Sequence, residues 1–339
     1  MKIANHDTDE RVFIIAEIGN NHEGDFGLAQ DMVRAAAEAG ADAVKFQTIN
    51  PVELVSASQA ARVAQLEKFR FSYDQFAQLA GLAASCGTLF MSTPFDLDAV
   101  RFLDGLVPAF KIASGDNDFF PLLRAVAQTG KPIVMSAGLM ELEEVARSRD
   151  FIRGVWQEQG VSQDLAILHC VSCYPTPEED ANLLAIRALA GLGVTPGYSD
   201  HTLGIEAAVA AVAVGARIIE KHFTVDKNYS DFDDHQLSAD PADLKELVRR
   251  VREVEALLGR PGKGMSGCEK TSKTPNRRSI VAKVPLAAGA VLGMEHLSWV
   301  RPGGGMAPGR EAEVLGKRLT RPLAPGEMIL PDNLDERES

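Results

Sequence analysis

Two histidines, His201 and His222, stand 21 residues apart in stretches that read YSDHTLG and EKHFT. Each falls at the end of a β-rich run, so neighbouring strands would bring the two imidazoles together near one axis. Paired imidazoles with oxygen donors suit a borderline divalent cation; the spacing does not fit two ligands on one helix face, as in HExxH. Two lysines pose a complementary question. Lys45 lies in AVKFQ and Lys111 in AFKIAS, both inside apolar runs. Alternation along a strand puts Val44 and Phe46 on one face and Lys45 and Gln47 on the other. An unpaired buried ammonium is costly, so each lysine must meet a carboxylate or an anionic ligand. With Ser114, Ser136 and Ser199 at neighbouring strand ends, the set suits a small phosphorylated carboxylate. The competing reading is a structural ion-pair network of Lys45 and Lys111 with Glu17 and Glu220.

The elements that must position these groups repeat in one rhythm. β-rich runs at 12–18, 43–46, 89–92, 109–113, 133–136, 166–169, 195–198 and 218–222 alternate with helical stretches at 27–39, 73–85, 96–106, 121–129, 141–159, 205–214 and 241–258. The helices carry apolar residues at helical spacing, and Gly40, Gly87, Gly130 and Gly215 close several of them as left-handed caps. Alternating strand and helix implies a parallel sheet, and eight units in about 250 residues match a closed (β/α)8 TIM barrel. An open doubly wound sheet is the competitor, but no G-x-G-x-x-G follows the first run. A barrel keeps its active site at the C-terminal strand ends, and those ends are polar nearly throughout. They present Glu17, Asn20, Asn21 and His22; Lys45 and Gln47; Ser92 and Thr93; Lys111, Ser114 and Asp116; Ser136; His169, Ser172 and Tyr174; Ser199 and His201; Glu220 and His222.

The chain of 339 residues is long enough for this catalytic barrel over 1–260 and a small second domain. Residues 261–279 are rich in Gly, Ser, Lys and Pro and read as an exposed linker. Residues 280–339 hold short β runs broken by AAGA, PGGG and APGE, an all-β pattern. Apolar residues at 45% and charged residues at 24% are ordinary for a globular protein. A net charge of −12 weighs against nucleic acid or an anionic membrane as partner. No apolar run reaches about 18 residues, and the first residues are acidic where a signal peptide would be basic, so the expected compartment is the cytoplasm. Cys86, Cys170, Cys173 and Cys268 are too scattered for a disulfide framework. The C-x-x-C of Cys170 and Cys173 reads as packed thiols at a strand end.

Seven motifs then carry a family likeness. AEIGNNHEGD (16–25), VKFQ (44–47), KIASGDNDFFPLL (111–123), KPIVMSAGL (131–139), HCVSCYPTP (169–177), YSDHTLG (198–204) and EKHFT (220–224) resemble, in order, the sialic acid synthase family. SIVAKVPLAAGAVL and HLSWVRPGGG resemble its C-terminal antifreeze-like (SAF) domain. The resemblance implies a metal-dependent transferase that condenses phosphoenolpyruvate with N-acetylmannosamine or a diacetamido-dideoxy hexose, giving a nonulosonic acid and phosphate. It implies that His201 and His222 hold manganese or magnesium, and that Lys45, Lys111, Ser114, Ser136, Ser172 and Ser199 form the phosphoenolpyruvate pocket. Glu17 is then the acidic residue at the reacting centre. Asp116 and Asp234 are further acidic groups on the sugar side, beside Gln47 and Tyr174. The family likeness also implies a domain-swapped homodimer in which Arg301 reaches the partner's sugar site. Asp116 stands where many members have Glu, Ser172 where some have Asn, and the segment 49–71 lacks a counterpart of the family's Asn contact. Competing readings are a related 3-deoxy-ulosonate synthase acting on another sugar aldehyde and a non-catalytic carbohydrate-binding protein. Two lysines and two histidines at strand ends weigh against the binder.

Overall fold

The period-two pattern of the apolar runs builds one parallel sheet. In a computed structural model, which describes residues 1–335, an N-terminal hairpin of β1 (Lys2–Ile3) and β2 (His6–Asp7) precedes eight barrel strands. These are β3 (Phe13–Gly19), β4 (Ala43–Thr48), β5 (Leu89–Pro94), β6 (Phe110–Ile112), β7 (Ile133–Ser136), β8 (Leu165–Cys170), β9 (Thr195–Asp200) and β10 (Ile218–His222). They run in the order β5-β4-β3-β10-β9-β8-β7-β6, with β5 and β6 side by side to complete the ring. Around it lie α1 (Phe26–Ala39), α2 (Pro51–Leu54), α3 (Ala60–Phe69), α4 (Tyr73–Ser85), α5 (Leu97–Asp104), α6 (Phe120–Gln128), α7 (Leu142–Glu158), α8 (Ala185–Ala190), α9 (Glu206–Val214), α10 (Asp234–Leu237) and α11 (Pro241–Leu258). The expected TIM barrel is present. Among the described residues no helix is long and apolar enough to cross a membrane.

Alternation sorts each strand into two faces. Outward residues such as Ile14, Val44, Phe46, Ile112 and Ile167 meet Met32, Leu79, Leu122 and Leu244 of the helices in the main core, each worth roughly 1.5–3 kcal/mol when fully buried. Inward residues Phe13, Ile15, Ala43, Met91, Ala109, Val134, Ala166, Leu168 and Ile218 fill the lower barrel, joined by Met1 and Ile3 of the hairpin. At Gly197 this interior leaves no room for a side chain: a Cβ would lie 2.2 Å from Leu168 Cδ2 and 2.8 Å from the Ile218 carbonyl oxygen. One inward step further along the strands, the apolar plug gives way to Glu17, Lys45, Thr93, Lys111, Ser136, Cys170, Ser199 and Glu220. Strand parity alone thus carries the chemistry into the barrel mouth.

The described residues form two compact units, one of Met1–Gly259 and one from Arg260 onward. The stretch expected as a plain linker is not uniformly irregular. A capping box between Ser266 and Glu269 starts a 3-10 turn that runs into α12 (Lys270–Asn276), which needs no apolar face because all of it is exposed. Beyond it, β11 (Ser279–Ala282) pairs antiparallel with β12 (Leu297–Val300). Single bridges such as Val281 to Met328 and Leu286 to Leu323 complete the small β unit around Ile280, Leu292, Val314, Leu319 and Ile329.

Candidate active site

At the C-terminal strand ends a cavity of about 490 Å³ opens, and twelve of the fourteen site residues expected from the sequence line it. They are Glu17, Lys45, Gln47, Lys111, Ser114, Ser136, Ser172, Tyr174, Ser199, His201, His222 and Asp234. Asp116 ends the 3-10 turn Ser114–Asp116 next to the cavity wall, its Oδ2 buried without a hydrogen-bond partner. Burial, with the Asp118 charge behind it, pushes the Asp116 carboxyl up to about 6. Arg301 belongs to the C-terminal unit, where it follows β12 and is exposed. A larger cavity of about 860 Å³, lined by His6, Arg11, Asp42 and the loops before β4, β5 and β6, lacks such a convergence; side-chain chemistry, not volume, selects the site.

An alternating ladder of charge forms the floor. Lys45 Nζ lies 3.0 Å from Glu17 Oε2 and 3.5 Å from Glu220 Oε2, and Lys111 Nζ lies 3.6 Å from Glu220 Oε1. Ser199 donates to Glu220 Oε1 at 3.0 Å, and Lys111 donates to Ser136 Oγ at 2.8 Å. Burial works against the Lys45 ammonium, but Glu17 and Glu220 more than offset it and hold its pKa above the ordinary value. For Lys111 burial wins and lowers it, despite Glu220. Burial drives the Glu17 carboxyl up to about 7 against the opposing pull of Lys45. Glu220 is also desolvated, yet Lys111 and Lys45 together hold it below its usual range. The ion-pair network that competed with the anion reading therefore exists, and both lysines still face the cavity. Glu220 occupies the place between them that an entering anion would contest. Beside this floor, Ser114 and Ser172 converge on Gly138, where a Cβ would come within 2.7 Å and 2.5 Å of their Oγ atoms. Only glycine keeps that hydroxyl cradle open.

The two imidazoles stand above the floor with ring centroids 5.3 Å apart. His201 Nδ1 lies 2.8 Å from the Val171 carbonyl oxygen. A carbonyl only accepts, so Nδ1 carries a proton; burial works against the charged ring, but the Cys170 sulfur, 3.8 Å away, more than offsets it and raises the pKa of this imidazole. His222 Nδ1 is buried without a hydrogen-bond partner and lies 3.9 Å from Asp234 Oδ2. Burial, reinforced by the His201, Lys45 and Lys221 charges, pushes this imidazole well below its ordinary range and keeps it neutral. Among the described residues no group of three or more His, Cys, Asp or Glu is arranged to hold a metal. Two imidazoles at this spacing nevertheless fit bonds of about 2.1 Å to one ion, which would displace any proton on His201 Nε2, with the remaining positions open, as catalytic rather than structural sites require. Tyr174 lays its ring over His201 at 4.1 Å.

Several strand-end residues turn elsewhere. His169 faces outward, where it contacts the Ala181 carbonyl oxygen at 2.9 Å and stacks on Tyr198; Cys170, one position on, faces the cavity instead. Asn21 donates to the Phe223 carbonyl at 2.9 Å and to Ser238 at 3.0 Å, tying down the loop that carries Asp234. His22 is buried against Phe71 at 4.1 Å and is pushed by burial to about 3, so it stays neutral.

The sequence reading missed Arg62, Phe232 and Asp233, which line the cavity's outer part. Arg62 comes from α3, and this helix is placed by tertiary contacts rather than by its own pattern. Phe69 packs edge-on against Phe232 at 5.5 Å. Gly24, at φ +86°, lies so close that a Cβ would sit 2.0 Å from the Lys68 carbonyl oxygen. Gly24→Ala is expected to destabilise the protein by more than about 1 kcal/mol and to speed amide exchange in residues 60–69. An unchanged melting temperature and unchanged exchange there would rule out this anchoring.

The sequence profile of the NeuB family matches residues 32–263, and that of the SAF domain matches residues 277–335. The chain is 38% identical over 338 residues to the N,N'-diacetyllegionaminic acid synthase of Legionella pneumophila, covering 95% of this chain and 94% of that one. It is 36% identical over 342 residues to the N-acetylneuraminate-9-phosphate synthase of Homo sapiens, covering 95% and 92%. Its fold resembles the crystal structure of an N-acetylneuraminic acid (sialic acid) synthetase from Leptospira borgpetersenii serovar Hardjo-bovis in complex with citrate. That match has a TM-score of 0.75 and 35% identity, covering 80% of this chain and 94% of that one.

Proposed function

The chain belongs to the NeuB family and ends in a SAF domain, and from that premise we propose that it condenses phosphoenolpyruvate with the aldehyde of an N-acylated amino sugar. The products are a nonulosonic acid and phosphate. The observation that carries this reading is the convergence of Lys45, Lys111 and the two imidazoles of His201 and His222 in one cavity.

The chemistry follows from which groups face that cavity. Lys45 and Lys111, with Ser114, Ser136, Ser172 and Ser199, bind and orient the carboxylate and phosphate of the enol ester. C3 of the enol bonds to the aldehyde carbon, whose oxygen takes a proton, and positive charge develops at C2. The Glu17 carboxylate, paired to Lys45 at the cavity floor, stabilises that charge. A water oxygen then bonds to C2 and gives up one proton, the bond from C2 to the phosphate oxygen breaks with its electron pair leaving on phosphate, and loss of the remaining hydroxyl proton leaves the keto acid; these two protons balance the one taken by the aldehyde oxygen and the one taken by the phosphate. His201 and His222 would hold a manganese or magnesium ion, which supplies Lewis acidity for the aldehyde oxygen. Charge balance favours this reading. The two lysines are already matched by Glu17 and Glu220, so a polyanionic substrate needs further positive charge or protonation of the floor. Asp234, Gln47 and Tyr174 face the sugar, and Arg301 completes that side across a domain-swapped homodimer. The compartment is the cytoplasm.

Mass spectrometry of the product from phosphoenolpyruvate and a panel of amino sugars tests the proposal, with phosphate release followed in parallel. Release that requires both a divalent ion and an acylated sugar is expected. Release without sugar, or none with any sugar, overturns it. His201→Ala is expected to shift the metal dependence to higher concentration; unaltered turnover at unaltered metal occupancy counts against its role as ligand.

A further inference from the structure

We propose that Asp200, Thr202 and Lys221 form a clamp that fixes the separation of His201 and His222, and so act as positioning residues for the ion that those imidazoles would hold. This rests on the functional reading above. Strand parity places Ser199 and His201 toward the barrel interior, as it does Glu220 and His222. Asp200 and Lys221 therefore point outward, into the layer between barrel and helices, where Tyr198 hydrogen-bonds Asp200 and the charges of Lys227 and Asp243 reach Lys221. They stand directly opposite each other, and this is the last paired position of the β9–β10 ladder. His201 and His222 are thus not paired with one another through the backbone, and something else must set the gap between them.

The side chains supply that link. Lys221 Nζ donates to Asp200 Oδ2 at 3.0 Å and to the Thr202 carbonyl oxygen at 2.5 Å. Asp200 Oδ1 accepts from both the backbone N–H and the hydroxyl of Thr202 at 2.8 Å. The residues on either side of His201 are consequently gripped by the residue that precedes His222. Neither charged side chain has any exposed surface. Taking two charges out of water is expensive, and a packed apolar pair would serve stability at least as well. A fully buried ion pair, one residue from each of two candidate ligands, points to registration rather than to stability. Outer-shell partners of this kind orient metal ligands, and their loss weakens metal binding by roughly 10–100-fold.

The test separates the two roles by replacing the whole pair. In the full-length protein without substrates, Mn²⁺ affinity is read from the electron paramagnetic resonance signal of the free ion, and the melting temperature is measured on the same samples. The double variant Asp200→Leu with Lys221→Met is expected to melt at or above the temperature of the unaltered protein, yet to bind Mn²⁺ about 10–100-fold more weakly. Unchanged affinity overturns the clamp. If that variant fails to fold, Thr202→Val, which removes one donor to Asp200, decides instead. It is expected to bind several-fold more weakly with little change in melting temperature, and unchanged affinity again overturns the proposal. Absence of Mn²⁺ binding by the unaltered protein would remove the functional reading along with the clamp. Normal binding that the variants leave intact removes the clamp alone.

Discussion

Lys45→Met is expected to lower kcat/KM for phosphoenolpyruvate by about 10²–10³-fold, the equivalent of the roughly 3–5 kcal/mol lost when one partner of a buried charge pair is removed. Methionine fills nearly the same volume, so the loss measures charge rather than packing. The same substitution has a second signature that distinguishes a substrate lysine from a purely structural one. Lys45 is the cation 3.0 Å from Glu17, and burial already holds that carboxyl up near 7. Without Lys45 the carboxyl rises further. A carboxyl whose folded pKa lies above its unfolded value loses stability as pH climbs past the unfolded value, because the unfolded chain ionises first. Below about 7 Glu17 is protonated in both folded proteins, so the stability deficit of Lys45→Met should be constant there and grow as pH rises above about 7, read as the difference in melting temperature from the unaltered protein. A pH-dependent stability deficit with unaltered kcat/KM would reduce Lys45 to a member of a structural network. A loss of kcat/KM accompanied by a pH-independent deficit would mean that Glu17 does not depend on it.

The reason so much of the site could be read in advance is that a closed parallel barrel couples two simple signals. Period two decides which residue of a pair faces the axis, and chain direction decides which end is open. In β4 the apolar Val44 and Phe46 had to meet helices, and this sent Lys45 and Gln47 inward. The same parity rule, applied more strictly, would have found what was missed on β8. Ala166 and Leu168 lie in the barrel core, so Cys170 had to follow them into the cavity and His169 had to face out. It would also have flagged Asp200 and Lys221 as charged residues turned toward the layer between barrel and helices. Arg62 is different in kind. Within α3 only Leu66 and Phe69 are buried, too few to define a face. The helix is fixed by a glycine 44 residues earlier and by Phe232 far downstream. No local pattern encodes such a placement. The capped helix inside the supposed linker shows the opposite failure: the Ser266–Glu269 capping signal was present, and composition outweighed it in the reading.

Glu17→Gln should cost about 10²–10³-fold in kcat/KM, the size expected when a preorganised group facing a developing charge is lost, with the sugar and phosphoenolpyruvate still bound. The substitution is close to isosteric, and it matters that it is. Glu17 Oε1 accepts from Gln47 at 3.1 Å, and Gly19 leaves so little room that a Cβ there would lie 3.2 Å from the same oxygen. A bulkier change would therefore test shape instead of charge. Burial is the main reason that Glu17 stays protonated up to about 7, with Lys45 pulling the other way. The proton must be off for the carboxylate to oppose positive charge at C2. In the unaltered protein, kcat/KM, which reports groups of the free enzyme, should accordingly rise with pH through about 7. The Gln variant should be flat and low across that range, so the two profiles converge on the acid side and diverge on the alkaline side. Parallel profiles would assign the titration to another group, and a variant that keeps full activity at neutral pH would remove Glu17 from the reacting centre. The prediction turns on a general tension in this cavity: the desolvation that makes a carboxylate strong against a developing cation is the same desolvation that keeps it protonated. Lys45 shifts that balance, and an anionic substrate arriving between the two lysines contests the ion pair on which the shift depends.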